Sequence, residues 1–252
     1  MRKFKIEPYW WDDEFKIYTK ESVEIKDGVT ILISCNGGGK STLIHQIKHR
    51  LKDFDDEVYI MEYSDMESGR SHAMEKFGFF GDFDKFGRNF ISSEGENVSN
   101  NFGDFLGTIA KKVDKAAKCG KKEFWIFLDG IDSGVSVDIV RQQSDVMELI
   151  ESDIRKTGMI PYIIIATNQY ESIGKYKNNC LDVINLKYIT LESYDEYVNH
   201  IMYTSELKEQ RYHEGNKRIK SRRKRDKWDD GDEKWLRKNL ELNGVIENMH
   251  LM

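Results

Sequence analysis

The chain of 252 residues sets 39 Lys and Arg against 44 Asp and Glu, a formal net charge of −5, and contains 2 prolines, 3 cysteines and 12% aromatic residues. A chain of this length buries about 70–75% of its unfolded surface, so it accommodates one large α/β domain, and its composition excludes a disordered chain over most of the sequence. Cys35, Cys119 and Cys180 are odd in number and lack Cys-x-x-Cys spacing, which excludes a disulfide framework or zinc site and leads us to expect a reducing, cytoplasmic setting; no apolar run has the length of a membrane span or the core of an export signal.

In chain order, Phe4–Ile6, Phe15–Tyr18 and Ser22–Ile25 read as short strands with polar turns, expected to form an antiparallel N-terminal edge. The apolar run Val29–Ile33 then leads through Ser34-Cys35-Asn36-Gly37-Gly38-Gly39-Lys40-Ser41-Thr42 into a helical pattern, Leu43–Leu51. This order is strand, glycine loop, helix. Three consecutive glycines let backbone N–H groups turn inward around phosphates, Lys40 adds a compact positive charge, the Ser41 hydroxyl can ligate Mg²⁺, and the helix N-terminus favours anions. Asn36, Gly37, Gly38, Gly39, Lys40, Ser41 and Thr42 are therefore the expected cradle for a nucleoside triphosphate with Mg²⁺. Ser34 stands where the pattern has glycine. His45 and His49, four apart on the helix, lack a third metal ligand and read as helix surface.

Beyond this helix, apolar strands are expected at Glu57–Tyr63, Phe124–Leu128, Ile160–Ala166 and Leu181–Tyr188, with helices at Phe102–Ala117, Val137–Ile154 and Ser193–Lys208. Alternation of this kind specifies an α/β fold with a mainly parallel central sheet covered by helices. Residues 65–95 interleave six phenylalanines with glycines and charges, and read as a compact insertion packed on the main domain. Asp129 closes the Phe124–Leu128 strand, where a second carboxylate must stand to hold Mg²⁺ through its water shell. Residues 1–210 form the expected nucleotide-binding domain and 211–252 a tail. The tail holds Lys217–Lys227, with eight basic residues in eleven, then an acidic patch at Asp229–Glu233 and a short amphipathic pattern from Trp235.

Asn36–Thr42, Ser92-Ser93-Glu94-Gly95-Glu96, Leu128-Asp129-Gly130-Ile131-Asp132-Ser133-Gly134 and Ile163-Ile164-Ile165-Ala166-Thr167-Asn168 together resemble the ordered motifs of ABC-type ATPases, a branch of the P-loop NTPases. The soluble SMC, RecF and RecN-like proteins are the nearest in pattern, and the resemblance covers about residues 1–205. It implies a head-to-head dimer in which Ser93 and Gly95 reach the triphosphate held by the other subunit. Ser92–Glu96 also reads as a helix cap, with Glu94 standing where the family has glycine. The resemblance further implies Mg²⁺ coordination by Ser41 and Asp129, and an aromatic near Tyr9, Trp10 and Trp11 stacking on adenine, although as residues those three read rather as core packing.

Two departures bear on chemistry. Gly130 occupies the place of the family's water-orienting glutamate, and Asn168 that of its γ-phosphate-sensing histidine. Loss of a general base costs about 10²–10⁴ in rate, so slow hydrolysis is expected, with Asp132 as the substitute carboxylate and Gly130→Glu as the change that restores activity. The function expected from these residues is a slow ATPase whose ATP-driven dimer closure acts on an unidentified protein partner, in DNA metabolism or phage–host conflict. The alternative is a non-catalytic ATP-gated adaptor. A small-molecule kinase is disfavoured because no arginine-rich lid is evident. The basic run offers a salt-dependent grip on nucleic acid, or is a solvated tail shielded by its neighbouring acids.

Overall fold

The computed structural model describes residues 1–8, 16–64, 94–132, 136–215 and 217–218. The elements in chain order are β1 (Arg2–Lys5), β2 (Ser22–Ile25), β3 (Gly28–Ile33), α1 (Lys40–Leu51), β4 (Val58–Ser64), α2 (Glu94–Lys118), β5 (Glu123–Asp129), α3 (Val137–Lys156), β6 (Ile160–Ala166), β7 (Cys180–Asp182), β8 (Lys187–Ile189) and α4 (194–215). Single turns of tighter helix stand at Lys52–Phe54, Tyr170–Ser172 and Lys177–Asn179.

Six strands make one sheet in the order β4-β5-β6-β3-β7-β8, parallel throughout except for β8. The strands read as continuous apolar runs because both faces are covered. Val29, Ile31, Phe124, Ile126, Leu128, Ile163 and Ile165 point to one side, where Ile109 and Val113 of α2, Met147 and Ile154 of α3 and Tyr197 of α4 pack on them. Leu32, Trp125, Phe127, Tyr162 and Ile164 point to the other, beneath Leu43 and Ile47 of α1. Trp125 and Tyr162 stack with ring centroids 4.0 Å apart.

The N-terminal strands are not an edge of this sheet. β1 and β2 pair antiparallel with each other as a separate ribbon, and Phe4, Ile6, Val23 and Ile25 lay it on the α1 face of the main sheet. Its apolar residues alternate, so one face of the ribbon has to be buried, and the sheet face left open beside α1 receives it. Arg2 pairs with Glu123, whose Oε2 also accepts the Trp125 indole N–H at 2.8 Å. Lys16 makes a single bridge in place of the expected third strand.

The antiparallel edge lies at the other end of the chain. Leu181–Tyr188, expected as one strand, is a tight hairpin, β7 against β8. Its cause is Asp182, whose Oδ1 accepts the N–H groups of Ile184 and Asn185, each at 3.0 Å, and so gives the backbone a local turn in place of a ladder. Leu186 completes this turn at φ 47°. Helix α2 begins at Glu94, eight residues before the apolar pattern starts. The 65–93 insertion, Tyr9, Trp10, Trp11, Ser92, Ser93, Ser133, Gly134 and the tail from Ile219 onward lie outside the described residues.

Candidate functional site

A parallel sheet collects loop residues at the carboxyl ends of its strands. Here Leu32 of β3, Ala166 of β6, Asp129 of β5 and Ser64 of β4 stand in register in one row, with Asp182 of β7 opposite Ile33. Because β6 lies between β3 and β5, Asp129 stands two strand spacings, about 10 Å, from Leu32. A cleft of about 260 Å³ opens above this row. Its walls are Asn36, Gly37, Gly38, Gly39, Lys40, Ser41 and Thr42 on one side and Asp129 and Asn168 on the other, with Ile17 of the N-terminal segment at the rim.

Each glycine of the loop answers a separate demand. Gly37 and Gly39 adopt left-handed backbone, φ 70° and 93°. Gly38 has an ordinary φ but no room, since a Cβ there would stand 2.6 Å from Ser34 Oγ and 2.9 Å from the Cys35 carbonyl oxygen. Ser34 therefore replaces glycine at the start of the loop without distorting it, because its buried hydroxyl occupies the space that Gly38 leaves. A Cβ at Gly39 would meet Ile17 Cγ2 at 2.6 Å, and the Gly39 carbonyl accepts the Tyr18 hydroxyl at 2.8 Å and the Leu43 N–H at 2.9 Å. Tyr18 is fully buried, and burial drives its phenol well above the usual range.

The Lys40 ammonium donates to the Ser34 carbonyl oxygen at 2.9 Å and to that of Cys35 at 3.5 Å. Burial pushes its pKa down, against the opposing pull of Cys35, Asp132 and Asp129. A cation held among neutral carbonyls with part of its hydration stripped gains by meeting an anionic oxygen. Ser41 and Thr42 open α1, whose first-turn N–H groups have no intrahelical acceptors. Ser41 and Asp129 face the same cleft, as an oxygen-ligated divalent cation would need.

Asp132, expected as a catalytic carboxylate, sits behind the cleft and not in its lining. It is 3% exposed, and its Oδ2 accepts both the Thr167 hydroxyl and the Asn168 N–H at 2.7 Å. The Gln169 side chain donates to the Asp132 carbonyl at 2.9 Å. These bonds tie the chain leaving β5 to the chain leaving β6, so Asp132 fixes where Asn168 presents its side chain. Gly130 lies at φ 76°, a conformation a glutamate adopts only under strain. Gly95 is in the first turn of α2.

One support of the site was not anticipated. Tyr197, Ile201, Thr204, Lys208, Arg211 and Gly215 follow each other by four, three, four, three and four residues, a single seam along α4. The seam is apolar where it covers the sheet and polar where it passes the glycine loop. Thr204 is fully buried; its hydroxyl accepts the Cys35 N–H at 3.0 Å and donates to the Ile201 carbonyl at 2.9 Å. One turn on, the Lys208 ammonium donates to the Asn36 carbonyl at 2.8 Å, and Arg211 bonds the Ile17 carbonyl. At the other end of the seam, the Tyr197 hydroxyl donates to the Asn168 carbonyl at 2.8 Å, and burial pushes that phenol up to about 12. The spacing was readable in the sequence, with two cations at positions where a buried seam carries apolar residues.

Among the described residues no cluster of three or more His, Cys, Asp or Glu side chains forms a metal cage, and no helix is long and apolar enough to cross a membrane. No family model matches the chain, and no curated protein or solved structure matches it either.

Proposed function

We propose that the chain is a P-loop NTPase of the ABC type that binds ATP with Mg²⁺ in the cleft between the glycine loop and Asp129. The observation that carries this reading is the convergence of Gly37–Thr42, the desolvated Lys40 ammonium and the Asp129 carboxylate on one cleft at the carboxyl edge of a parallel sheet. The loop N–H groups and Lys40 would hold the phosphates, Ser41 would ligate the metal, and Asp129 would orient the metal's water shell. The sheet order, in which β6 parts the loop strand from the Asp129 strand, is compatible with this assignment. Hydrolysis is slow in this reading, and ATP-driven closure of two copies, with Ser93 and Gly95 of one meeting the triphosphate of the other, is the step that acts on a partner. Nucleic acid is a candidate partner through Lys217–Lys227.

A second reading, a non-catalytic ATP-gated switch, draws support from the site's carboxylates. Asp132 spends its Oδ2 on two hydrogen bonds, and Gly130 offers no side chain to orient water. The test is titration calorimetry with Mg²⁺-ATP on the wild type and on Lys40→Ala, followed by steady-state phosphate release with Asp129→Asn. Binding lost in Lys40→Ala supports the nucleotide site, and wild-type affinity in that variant removes it. Slow turnover abolished by Asp129→Asn favours the ATPase, whereas binding without turnover favours the switch.

A further inference from the structure

We propose that Lys208, carried by α4, is a second phosphate-binding cation delivered in cis to the glycine loop. The inference rests on the nucleotide reading above and deepens it. Among the described residues that line the cleft, Lys40 and Asp129 carry the charged side chains, and they offset one another. A Mg²⁺-nucleoside triphosphate retains net negative charge, so a site balanced in this way is short of cations. Lys208 supplies one at the rim. Its ammonium bonds the carbonyl of Asn36 and stands 3.7 Å from where a Cβ on Gly37 would be, and both of those residues line the cleft.

Lys208 is held in position by the turns on either side of it. Thr204 fixes the preceding turn to the Cys35 N–H, and Arg211 fixes the following one to the Ile17 carbonyl. The exposed lysine stem is long enough for the ammonium to exchange the neutral Asn36 carbonyl for an anionic phosphate oxygen without moving the helix. That exchange replaces a neutral acceptor by a charged one, the stronger kind of hydrogen bond.

The experiment is calorimetric binding of Mg²⁺-ATP and of Mg²⁺-tripolyphosphate to the full chain carrying Lys208→Gln, Lys208→Arg or Lys208→Glu, with the thermal midpoint of each protein measured without ligand. The expected result is a weakening of about 10- to 100-fold for both ligands in Lys208→Gln, a larger loss in Lys208→Glu and near wild-type affinity in Lys208→Arg. The decline of affinity with salt should be shallower in Lys208→Gln than in the wild type, and the unliganded midpoints should agree within about 2 °C, as for an exposed hydrogen bond. Wild-type affinity in Lys208→Gln would overturn the inference and leave the nucleotide site standing. A loss that tracks a falling unliganded midpoint and that arginine does not rescue would show Lys208 to be structural only. A wild-type chain that binds neither ligand would remove both the nucleotide reading and this inference.

Discussion

Asp132 Oδ2 accepts the backbone N–H of Asn168 at 2.7 Å, and that bond sets where the second residue after β6 enters the cleft. The same oxygen accepts the Thr167 hydroxyl, so removing the carboxylate orphans the Asn168 N–H and leaves the Thr167 hydroxyl only the Gln169 carbonyl and the Ser172 hydroxyl. Asp132→Ala should cost about 1–3 kcal/mol, read as a lower urea midpoint with an unchanged slope. In ATP turnover, Asp132→Asn should lower the rate at every pH without shifting the pH profile, the outcome expected of a side chain that acts by positioning Asn168. A shifted acidic limb would return the role of general base to Asp132.

Gly130→Glu was expected from sequence to restore hydrolysis. The left-handed backbone at this position, φ 76°, opposes it, at a strain of about 1–2 kcal/mol for a residue with a Cβ. The variant should therefore unfold at lower urea and turn over ATP no faster than the wild type. A rate gain of tenfold or more would show that the chain after β5 rearranges to seat the glutamate.

A glycine inside a helix behaves differently. Gly107 lies inside α2, and a Cβ there would meet nothing within 4 Å. Gly107→Ala should stabilise the protein by about 0.5–1 kcal/mol, whereas Gly39→Ala, with φ 93° and Ile17 at 2.6 Å, should destabilise it by more than that and weaken ATP binding. Thermal and chemical denaturation of the two variants side by side checks the contrast.

His200 supplies a pH dependence. Its Nε2 lies 3.6 Å from Asp182 Oδ2 without a hydrogen bond, and burial holds its pKa below the usual range, against the upward pull of Asp182 and with a further push down from Lys187. With the folded pKa depressed, the unfolded chain takes up the proton first. The stability contributed is therefore complete above the unfolded value of about 6.5 and is lost as pH falls through the lower folded value. Urea midpoints should be flat above pH ~7 and decline below pH ~6.5, and His200→Gln should make that decline shallower. Identical profiles for the two proteins would assign the slope to other groups.

The central strands were legible because burial on both faces leaves unbroken apolar runs, and Ile160–Ala166 coincides with β6. The glycine loop was legible because backbone geometry there demands particular residues at particular places. Leu181–Tyr188 misled because its apolar content reports burial, while the chain direction is set by one polar side chain, Asp182, bonding two amides. The apolar pattern placed the start of α2 at Phe102 for a related reason, since its first turns lack the spacing by which a helix is recognised, whereas the cap reading of Ser92–Glu96 falls where the helix begins. Asp132 was recognised as important by its place after β5, but sequence does not distinguish a carboxylate that faces a cleft from one that braces it. Thr204 and Lys208 lie about 170 residues from the loop they touch and Arg211 lies 194 residues from Ile17, and only the seam spacing along α4 hints that the three share one face.

The seam also governs how the cleft can change shape. Tyr197 grips the Asn168 rim and Thr204 the Cys35 N–H at the start of the loop, and the seven helical steps from one to the other make a rod about 10 Å long. A stiff rod attached to both jaws acts as a calliper locked at one gap. The rims cannot part while both bonds hold, so any force that lifts the carboxyl end of α4 frees the loop side first and leaves the Asn168 side seated.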